Sequence, residues 1–304
     1  AHISIGKVDF RFFNKLVLND VLISGTASDT IFYSRILSAE IDTLKIKEQR
    51  ISLSELSFFE NKISVVRDTA NRFNFSFILD SLQTEKRDTS ISVLWKIRCN
   101  LAFHDKSTEK QSHFFINQMD LNASEFFNYS DSTAFRINSL SLNYNNYLDI
   151  NNLSAKLSIT KQKIEIDSLS LTSNKSEIND LNLVMKVGKN ETILNRNMDF
   201  DIQLAKSNVN LSELAEIIHP LKEIDESIEF SGRIYGNIKD IKGKDLILKT
   251  GLNTNTVFDF YVNGIEDIET MYLFLDLKHF ETTANDITSF KIVQNGKRIK
   301  LNIP

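Results

Sequence analysis

The sequence has few of the residues on which small rigid folds depend. Its single cysteine, Cys99, excludes an internal disulfide framework and leaves the cellular compartment undecided. Two prolines and nine glycines are few for short strands joined by tight turns, which favours long strands with polar turns. The charges, 36 basic against 40 acidic, form no block of one sign, so no nucleic acid is expected as a partner.

Long apolar runs are also missing. None approaches the roughly 20 residues that a membrane-spanning helix needs, and no signal peptide opens the chain at Ala1. We therefore expect a mature product or an excised fragment. The 304 residues, 41% of them hydrophobic, suffice for one large β domain or two ordinary ones.

What the chain does contain, repeatedly, is one apolar rhythm. In residues 164–171, apolar side chains stand at Ile164, Ile166, Leu169 and Leu171, so two period-2 steps are separated by one extra residue. Period 2 marks one face of a β-strand, and the extra residue would turn the second pair to the other face unless a bulge or bend absorbs it. The rhythm recurs at Ile3/Ile5/Val8/Phe10, Leu16/Leu18/Val21/Ile23, Ile51/Leu53/Leu56/Phe58, Phe135/Ile137/Leu140/Leu142 and Leu148/Ile150/Leu153/Ala155. It predicts bent strands that keep one apolar face.

These patterns predict an all-β fold, an elongated and curved antiparallel sheet that forms a groove. The clearest strand prediction covers residues 91–104, where apolar side chains alternate with side chains that are mostly polar. One short amphipathic helix is predicted over residues 211–222, with Asn210 and Glu213 in a capping-box pattern and Pro220 near its end. We predict an N-terminal β-groove module at 1–85, a central long-strand module at 86–208, and a helix with a C-terminal β module at 209–304.

Local signatures of catalysis are missing from the sequence: there is no HExxH, GxSxG, GxGxxG, Walker loop, CxxC or EF-hand loop. His104 and His113 could meet across a hairpin, although surface histidines are a better interpretation than a metal site. Glu165 and Asp167 share a strand face opposite an apolar face, which indicates a solvated outer face. Cys99 stands among apolar residues and fits a buried hydrophobe better than a nucleophile. We predict no enzyme activity, no metal and no cofactor.

The apolar strand faces exceed what one short helix can cover. The sheet must close on a second sheet, form a barrel, or leave an open trough whose floor is covered by ligand. In a chain with 22 phenylalanines, leaving ~1,000 Å² of such surface in water would cost on the order of 25 kcal/mol, so acyl chains would bind it. The predicted lipid-groove residues are Val93, Trp95, Ile97, Leu101, Phe103, Ile228, Phe230, Leu246, Leu248, Leu273 and Leu275.

Two other functions stay open at this point. The chain could be a β-scaffold or chaperone whose free edges add strands to unfolded outer-membrane or secreted proteins. An enzyme with dispersed active-site residues would need a closed pocket with several convergent acids.

Several segments resemble a known family. The N-terminal matches are Ile3, Ile5, Gly6 and Val8, then Phe12, Phe13 and Asn14, then Leu16, Leu18, Asp20, Val21 and Ile23, then Asp29 and Thr30. Further matches are Asn71 to Leu82, the predicted helix, and the segments EFSGRIYGNIKDIKGKDLILKTG and VNGIEDIETMYLFLDL. Together they resemble the N-terminal periplasmic part of the TamB (translocation and assembly module) proteins of the AsmA-like family, in particular the Bacteroidetes branch. One departure is Gly264-Ile265-Glu266-Asp267, which lacks the family's proline.

The resemblance implies a U-shaped β-groove, polar outside and apolar inside, in a periplasmic protein anchored to the inner membrane by an N-terminal helix absent from this chain. It also implies movement of phospholipids toward the outer membrane, and an outer-membrane barrel of the Omp85 type as partner. The matching residues have structural rather than catalytic roles, so the resemblance implies no catalytic residue in this chain.

Overall fold

The computed structural model is a nearly all-β protein, described here in two units, Ala1–Ser154 and Ala155–Pro304. The structure describes residues 2–11, 14–25, 29–45, 50–70, 72–75, 89–91, 93–107, 112–129, 132–160, 162–186, 198–214, 226–237, 239–265, 270–289, 292–294 and 297–299. Among these residues, no helix is long and apolar enough to cross a bilayer.

The first unit is built mainly from long strands. They are β1 (His2–Arg11), β2 (Lys15–Ser24), β3 (Thr30–Lys45), β4 (Arg50–Arg67), β5 (Thr89–Ile91), β6 (Leu94–Asp105), β7 (Ser112–Tyr129) and β8 (Ser132–Tyr144). The sheet order is β1-β2-β3-β4-β6-β7-β8, and β5 pairs with one end of β7. Every pair in that order is antiparallel except β4 with β6, which is parallel. The division between the units falls within the next strand, β9 (Leu148–Thr160).

The second unit continues with antiparallel strands. They are β10 (Lys163–Ser173), β11 (Glu177–Lys186), β12 (Asp199–Asn210), β13 (Ser227–Asn237), β14 (Asp240–Thr250), β15 (Thr254–Asn263) and β16 (Tyr272–Glu281), paired in that order. A separate two-stranded sheet joins β17 (Ile292–Gln294) to β18 (Lys297–Ile299). The predicted all-β antiparallel fold is confirmed. The three predicted modules stay a prediction, and the boundary near residue 85 lies outside the described residues.

The predicted helix at 211–222 is described only in its first turn, a 3₁₀ helix at Leu211–Leu214, and residues 215–225 lie outside the described part. Asn210 caps this turn, since its Oδ1 accepts the N–H of Ser212 at 3.0 Å. The other half of the capping box does not form, because the Glu213 carboxylate accepts hydrogen bonds from Ser173 and Ser176 instead. A second short helix that the sequence did not predict, α1 (Ala284–Ser289), follows β16.

The repeated apolar rhythm produces bulges that keep the apolar side chains in phase. In β10, Ile164 and Ile166 face Met185 and Leu183 of β11; after register shifts, Leu169 and Leu171 face Leu181 and Ile178. Two register shifts produce this pairing: the first includes Ser168, whose φ is 52°, and the second includes Asp180 of β11, whose φ is 44°. All four apolar residues of the segment therefore lie on one face, as the rhythm predicts.

Residues with positive φ, most of them at register shifts, line up across neighbouring strands of each unit, and we call each line a crease. In the first unit the crease contains Asp20, Glu60 and Gln118; in the second it contains Ser168, Asp180, Gly232 and Asp245, all with positive φ. The bulge amides donate hydrogen bonds to side-chain oxygens on a neighbouring strand. Gln118 N donates to Asn100 Oδ1 at 2.9 Å, Ser168 N to Asn182 Oδ1 at 2.9 Å, and Asp245 N to Asp259 Oδ1 at 2.6 Å. These bonds satisfy amides that leave the regular ladder.

A substitution at Gly232 tests the backbone conformation at the crease of the second unit. Its φ is 132°, and a Cβ there would lie 2.8 Å from Leu246 Cδ2 and 2.9 Å from the Asp245 carbonyl oxygen. We expect Gly232→Ala to lower the free energy of unfolding by about 1–3 kcal/mol, measured by urea denaturation with circular dichroism. The neighbouring Ser231→Ala is the control, because its backbone is extended. Equal stability of the two variants would contradict the assigned strain.

Candidate functional site: the apolar sheet face

One face of the second unit is built almost entirely from aliphatic and aromatic side chains. The strand register sets Phe230 beside Leu248, Leu246 beside Phe258, Phe260 beside Leu275 and Val262 beside Leu273. Residues on the same face of β10, β11 and β12 extend it: Ile164, Ile166, Leu169, Leu171, Ile178, Leu181, Leu183, Met185, Phe200, Ile202, Leu204 and Val209. We call this the apolar face of the second unit.

The first unit has an apolar face of its own. Trp95 lies between Leu56 and Ala123, and Ile97 lies between Phe58 and Leu121. Further along β6, the neighbours of Leu101 and Phe103 are also apolar: Ile63, Ile116, Val65 and Phe114. The face continues through β2 to β1, where the partners of Leu16, Leu18, Val21 and Ile23 are Phe10, Val8, Ile5 and Ile3.

The predicted lipid-groove residues fall into two sets, one in each unit. Trp95, Ile97, Leu101 and Phe103 share the apolar face of the first unit. Ile228, Phe230, Leu246, Leu248, Leu273 and Leu275 share the apolar face of the second. Val93 precedes β6 and is 2% exposed, and Leu246 is 0% exposed, so both pack inside the protein. A direct lipid contact at any of these residues stays a prediction.

The aromatic cluster around Trp95 was not predicted from the sequence. Its ring stacks on Phe58 at 6.3 Å between centroids and lies 6.1 Å from Phe126. Phe58 also meets Phe32 edge to face, at 6.3 Å. Alternation along β6 alone could not reveal these neighbours, because they belong to other strands.

The contact between Phe32 and Phe58 shows how the first unit bends. Phe32 pairs with Ile63 and Phe58 with Leu37, and the buried pair Ser34 and Asn61 lies in the row between them. The two rings therefore reach toward each other over the small side chains of the crease. The sheet of the first unit therefore bends toward its apolar face at this crease.

The apolar faces are most exposed at the outermost strands. On β16, Leu273, Leu275, Leu277 and Phe280 are between 50% and 59% exposed. On β1, Ile3, Ile5, Val8 and Phe10 are between 45% and 68% exposed. A depression of about 320 Å³ in the second unit is lined by Phe258, Leu275, Leu277, Phe280 and the methyl-bearing Thr256. Exposed apolar surface of this extent marks a binding site more often than chance exposure.

The opposite face of both units carries ion pairs between neighbouring strands. Arg233 donates two hydrogen bonds to Asp201, at 2.8 and 2.6 Å, and holds the pKa of that carboxyl below its usual range. In the first unit, hydrogen bonds from Lys96 and Ser57 lower the pKa of Glu55. Further pairs are Arg35–Glu60, Arg98–Asp120, Lys206–Glu229, Lys249–Glu229 and Lys278–Asp259. This charged surface, which we call the polar face, suits contact with water.

A depression of about 780 Å³ lies on the polar face of the first unit, beside the crease. Most of its charged lining is paired, Arg35 with Glu60 and Arg98 with Asp120, each at 2.7 Å. Within the described residues, no group of three or more side chains is placed to hold a metal ion. His104 and His113 do face each other across β6 and β7, with ring centroids 6.3 Å apart.

Cys99 lies on the apolar face of β6, opposite Asn61 and Met119, and is 5% exposed. Burial raises the pKa of its thiol to about 11. A thiol that stays protonated at neutral pH is a poor nucleophile. The interpretation of Cys99 as a buried hydrophobe therefore agrees with its surroundings.

Comparisons with known proteins identify no relative. No family model, no curated protein and no solved structure matches the chain. The resemblance to TamB proteins therefore stays a prediction.

A buried residue and an exposed residue of the apolar face should contribute differently to the free energy of unfolding. Leu246→Ala removes a fully buried side chain, and we expect a loss of about 2–5 kcal/mol in the free energy of unfolding. Leu273→Ala, at a position 57% exposed, should change it by only about 0.5 kcal/mol. Urea denaturation of both variants measures the difference. Similar losses would mean that the β16 side chains are part of the core.

The reactivity of Cys99 tests its burial. A pKa of about 11 instead of 9.0 lowers the thiolate fraction at pH 8 by about 100-fold. We expect iodoacetamide to modify the folded protein at least that much more slowly than the urea-unfolded protein, measured by mass spectrometry. Because the chain has one cysteine, no other thiol contributes to the signal. Equal rates in both states would contradict the buried position.

Proposed function

We propose that the apolar faces bind acyl chains and that the protein is a non-enzymatic segment of a conduit for phospholipids. The observation that supports this most directly is the segregation of the faces. In both units, one face of the sheet is almost entirely apolar and the ion pairs lie on the other face. A sheet in an ordinary closed core would bury its apolar face.

Energetics favour a lipid occupant. The four apolar side chains of β16 are about half exposed, and covering the remaining half would gain about 3–6 kcal/mol. Those of β1 add a comparable amount. Acyl chains supply continuous apolar surface without hydrogen-bonding groups, so they can cover this face without burying unpaired polar atoms.

The arrangement also suits movement along the sheet. Successive strands present similar aliphatic contacts, so an acyl chain that shifts from one strand to the next exchanges one apolar environment for another. The charged headgroup would stay toward solvent and never cross the apolar floor. Such transfer needs no covalent chemistry, because a shared apolar surface lowers the cost of taking a lipid through water.

The resemblance noted in the sequence gives this proposal a setting. We propose that the chain acts in the periplasm, between the inner and outer membranes, and supports outer-membrane assembly. In that setting an N-terminal helix outside this chain would anchor the protein to the inner membrane, and an Omp85-type barrel would be its outer-membrane partner.

A second candidate function draws support from the edge of β16. All ten residues of this strand are exposed, and β15 is its one neighbour in the described part of the chain. It contains no proline, and its apolar face has no charged side chain that would block pairing. An extended segment of an unfolded protein could add to this edge by strand addition.

The test is photo-crosslinking at two adjacent residues that point to opposite faces. Leu248 lies on the apolar face beside Phe230, whereas Ile247 lies on the polar face beside Ser231 and is 38% exposed. A photoreactive amino acid at position 248 should form adducts with phospholipid when the purified protein is illuminated with phosphatidylethanolamine and phosphatidylglycerol vesicles. The same group at position 247 should form few, measured by mass spectrometry of the intact protein.

The matched control removes accessibility as an explanation, because Ile247 is itself exposed. Equal lipid labelling at both positions, or none at position 248, would contradict the conduit. Illumination in cells separates the two candidate functions: a phospholipid adduct at position 248 favours the conduit, and an adduct with a polypeptide favours strand addition.

A further inference from the structure

Among the described residues, the outer edge of β1 pairs with no strand. In the strand order of the described residues, β1 stands at one end, and its one neighbour is β2. Eight of its ten residues are exposed, and it contains no proline. Its apolar face lacks the inward charge that natural edge strands use against association. An edge strand of this kind can pair with a strand of another molecule.

The sequence of β1 is symmetric in a way that suits antiparallel pairing with a second copy of itself. Its apolar residues Ile3, Ile5, Val8 and Phe10 read with the same spacing in both directions, with Gly6 and Lys7 at the centre. In an antiparallel pair of two β1 strands, Ile3 would face Phe10 and Ile5 would face Val8 on the same side of the sheet. The two central residues would meet at the centre, so both bends fall on one line.

The existing pair of β1 and β2 shows that this strand accepts such a register. There Ile3, Ile5, Val8 and Phe10 face Ile23, Val21, Leu18 and Leu16, and the central Gly6 stands opposite Asp20, whose φ is 53°. The four partners in β2 follow the same rhythm. A second β1 strand offers the free edge the same spacing of apolar residues and the same central bend.

We propose that two copies of this chain associate by antiparallel pairing of their β1 strands about a two-fold axis between Gly6 and Lys7. On the polar face, Ser4 then meets Asp9 of the second copy, and His2 meets Arg11. Asp9 also stays beside Lys7 of its own strand, to which it is bonded at 2.8 Å. At neutral pH, no two residues with like formal charges stand directly opposite each other. Like charges in that position would destabilise the pair.

The alternative partner, β16 of a second copy, is disfavoured by charge. Its apolar residues are Leu273, Leu275, Leu277 and Phe280, with the bend between the last two. Aligning that bend with the centre of β1 would set Val8 against Leu277 and Phe10 against Leu275. Asp9 would then directly oppose Asp276, a like-charge pair that destabilises a sheet. β16 is also not symmetric, so self-pairing would not align its bends.

The two-fold pairing has a structural consequence. Residues that face each other across an antiparallel pair share one side of the sheet, so the apolar faces of the two first units would become continuous. A closed two-fold interface also occupies both β1 edges and stops further growth at that edge. The proposal concerns association alone and does not depend on the proposed lipid function.

Disulfide formation between two separately prepared variants tests the register. Both carry Cys99→Ser; one adds Ile5→Cys and the other Val8→Cys. Mixed under mild oxidation, they should form a disulfide-linked heterodimer on a non-reducing gel, because positions 5 and 8 are directly opposite. The control mixes the Ile3→Cys and Val8→Cys variants, whose positions are two residues out of register, and should give at least several-fold less product.

Sedimentation of the unmodified protein provides the second measurement. We expect a monomer that converts to a dimer as concentration rises. Val8→Lys, at a position 54% exposed, should abolish the dimer without unfolding the protein, checked by circular dichroism. Leu275→Lys, which places the same charge on the β16 edge, should leave it intact. A wild-type monomer at all concentrations, a Leu275→Lys variant that no longer dimerises, or equal crosslinking in both mixtures would overturn the proposal.

Discussion

The structure depends on how most of its strands accommodate one extra residue. An extra residue in a strand normally reverses every side chain beyond it, so half of the apolar groups would turn to the wrong face. Here the extra residue adopts a left-handed conformation, at Ser168 or Asp245 for example, and the alternation resumes on the original face. The amide freed by the bulge is bonded by Asn182 or Asp259 on the next strand. The asparagine and aspartate residues are thus part of what keeps the apolar face continuous.

Because the bulges of neighbouring strands line up, the bending of the sheet and the separation of apolar from polar side chains have the same cause. A bulge in a single strand would only kink that strand, whereas a line of bulges lets neighbouring strands bend together. In the first unit this brings Phe32 and Phe58 together above Ser34 and Asn61. The crease needs small side chains at its base and large ones on either side. Gly232 and Gly243 meet the same need in the second unit, where Leu246 and Phe260 lie against them.

The sequence predicts the strands, their faces and the bulges because all three follow from spacing within one segment. Alternation at positions 95, 97, 101 and 103 is sufficient to place Trp95 and Phe103 on the same face. Contacts between strands are not encoded locally, so the aromatic cluster of Phe58, Trp95 and Phe126 and the parallel pairing of β4 with β6 were not predicted. The six-residue helix α1 was also missed, because it is too short for helical periodicity to show.

Burial within the apolar face could not be predicted from alternation either. Alternation treats Leu246 and Leu273 alike, yet one is fully buried and the other 57% exposed. The difference comes from position: Leu246 lies at a crease between two flanking strands and against Gly232, whereas Leu273 lies on a strand with one neighbour. A face of this kind combines two properties that are usually separate. Its centre supplies the packing that holds the sheet bent, and its margins keep apolar surface available to a ligand. Substitutions at the margins would therefore affect the proposed lipid binding and leave the bend intact.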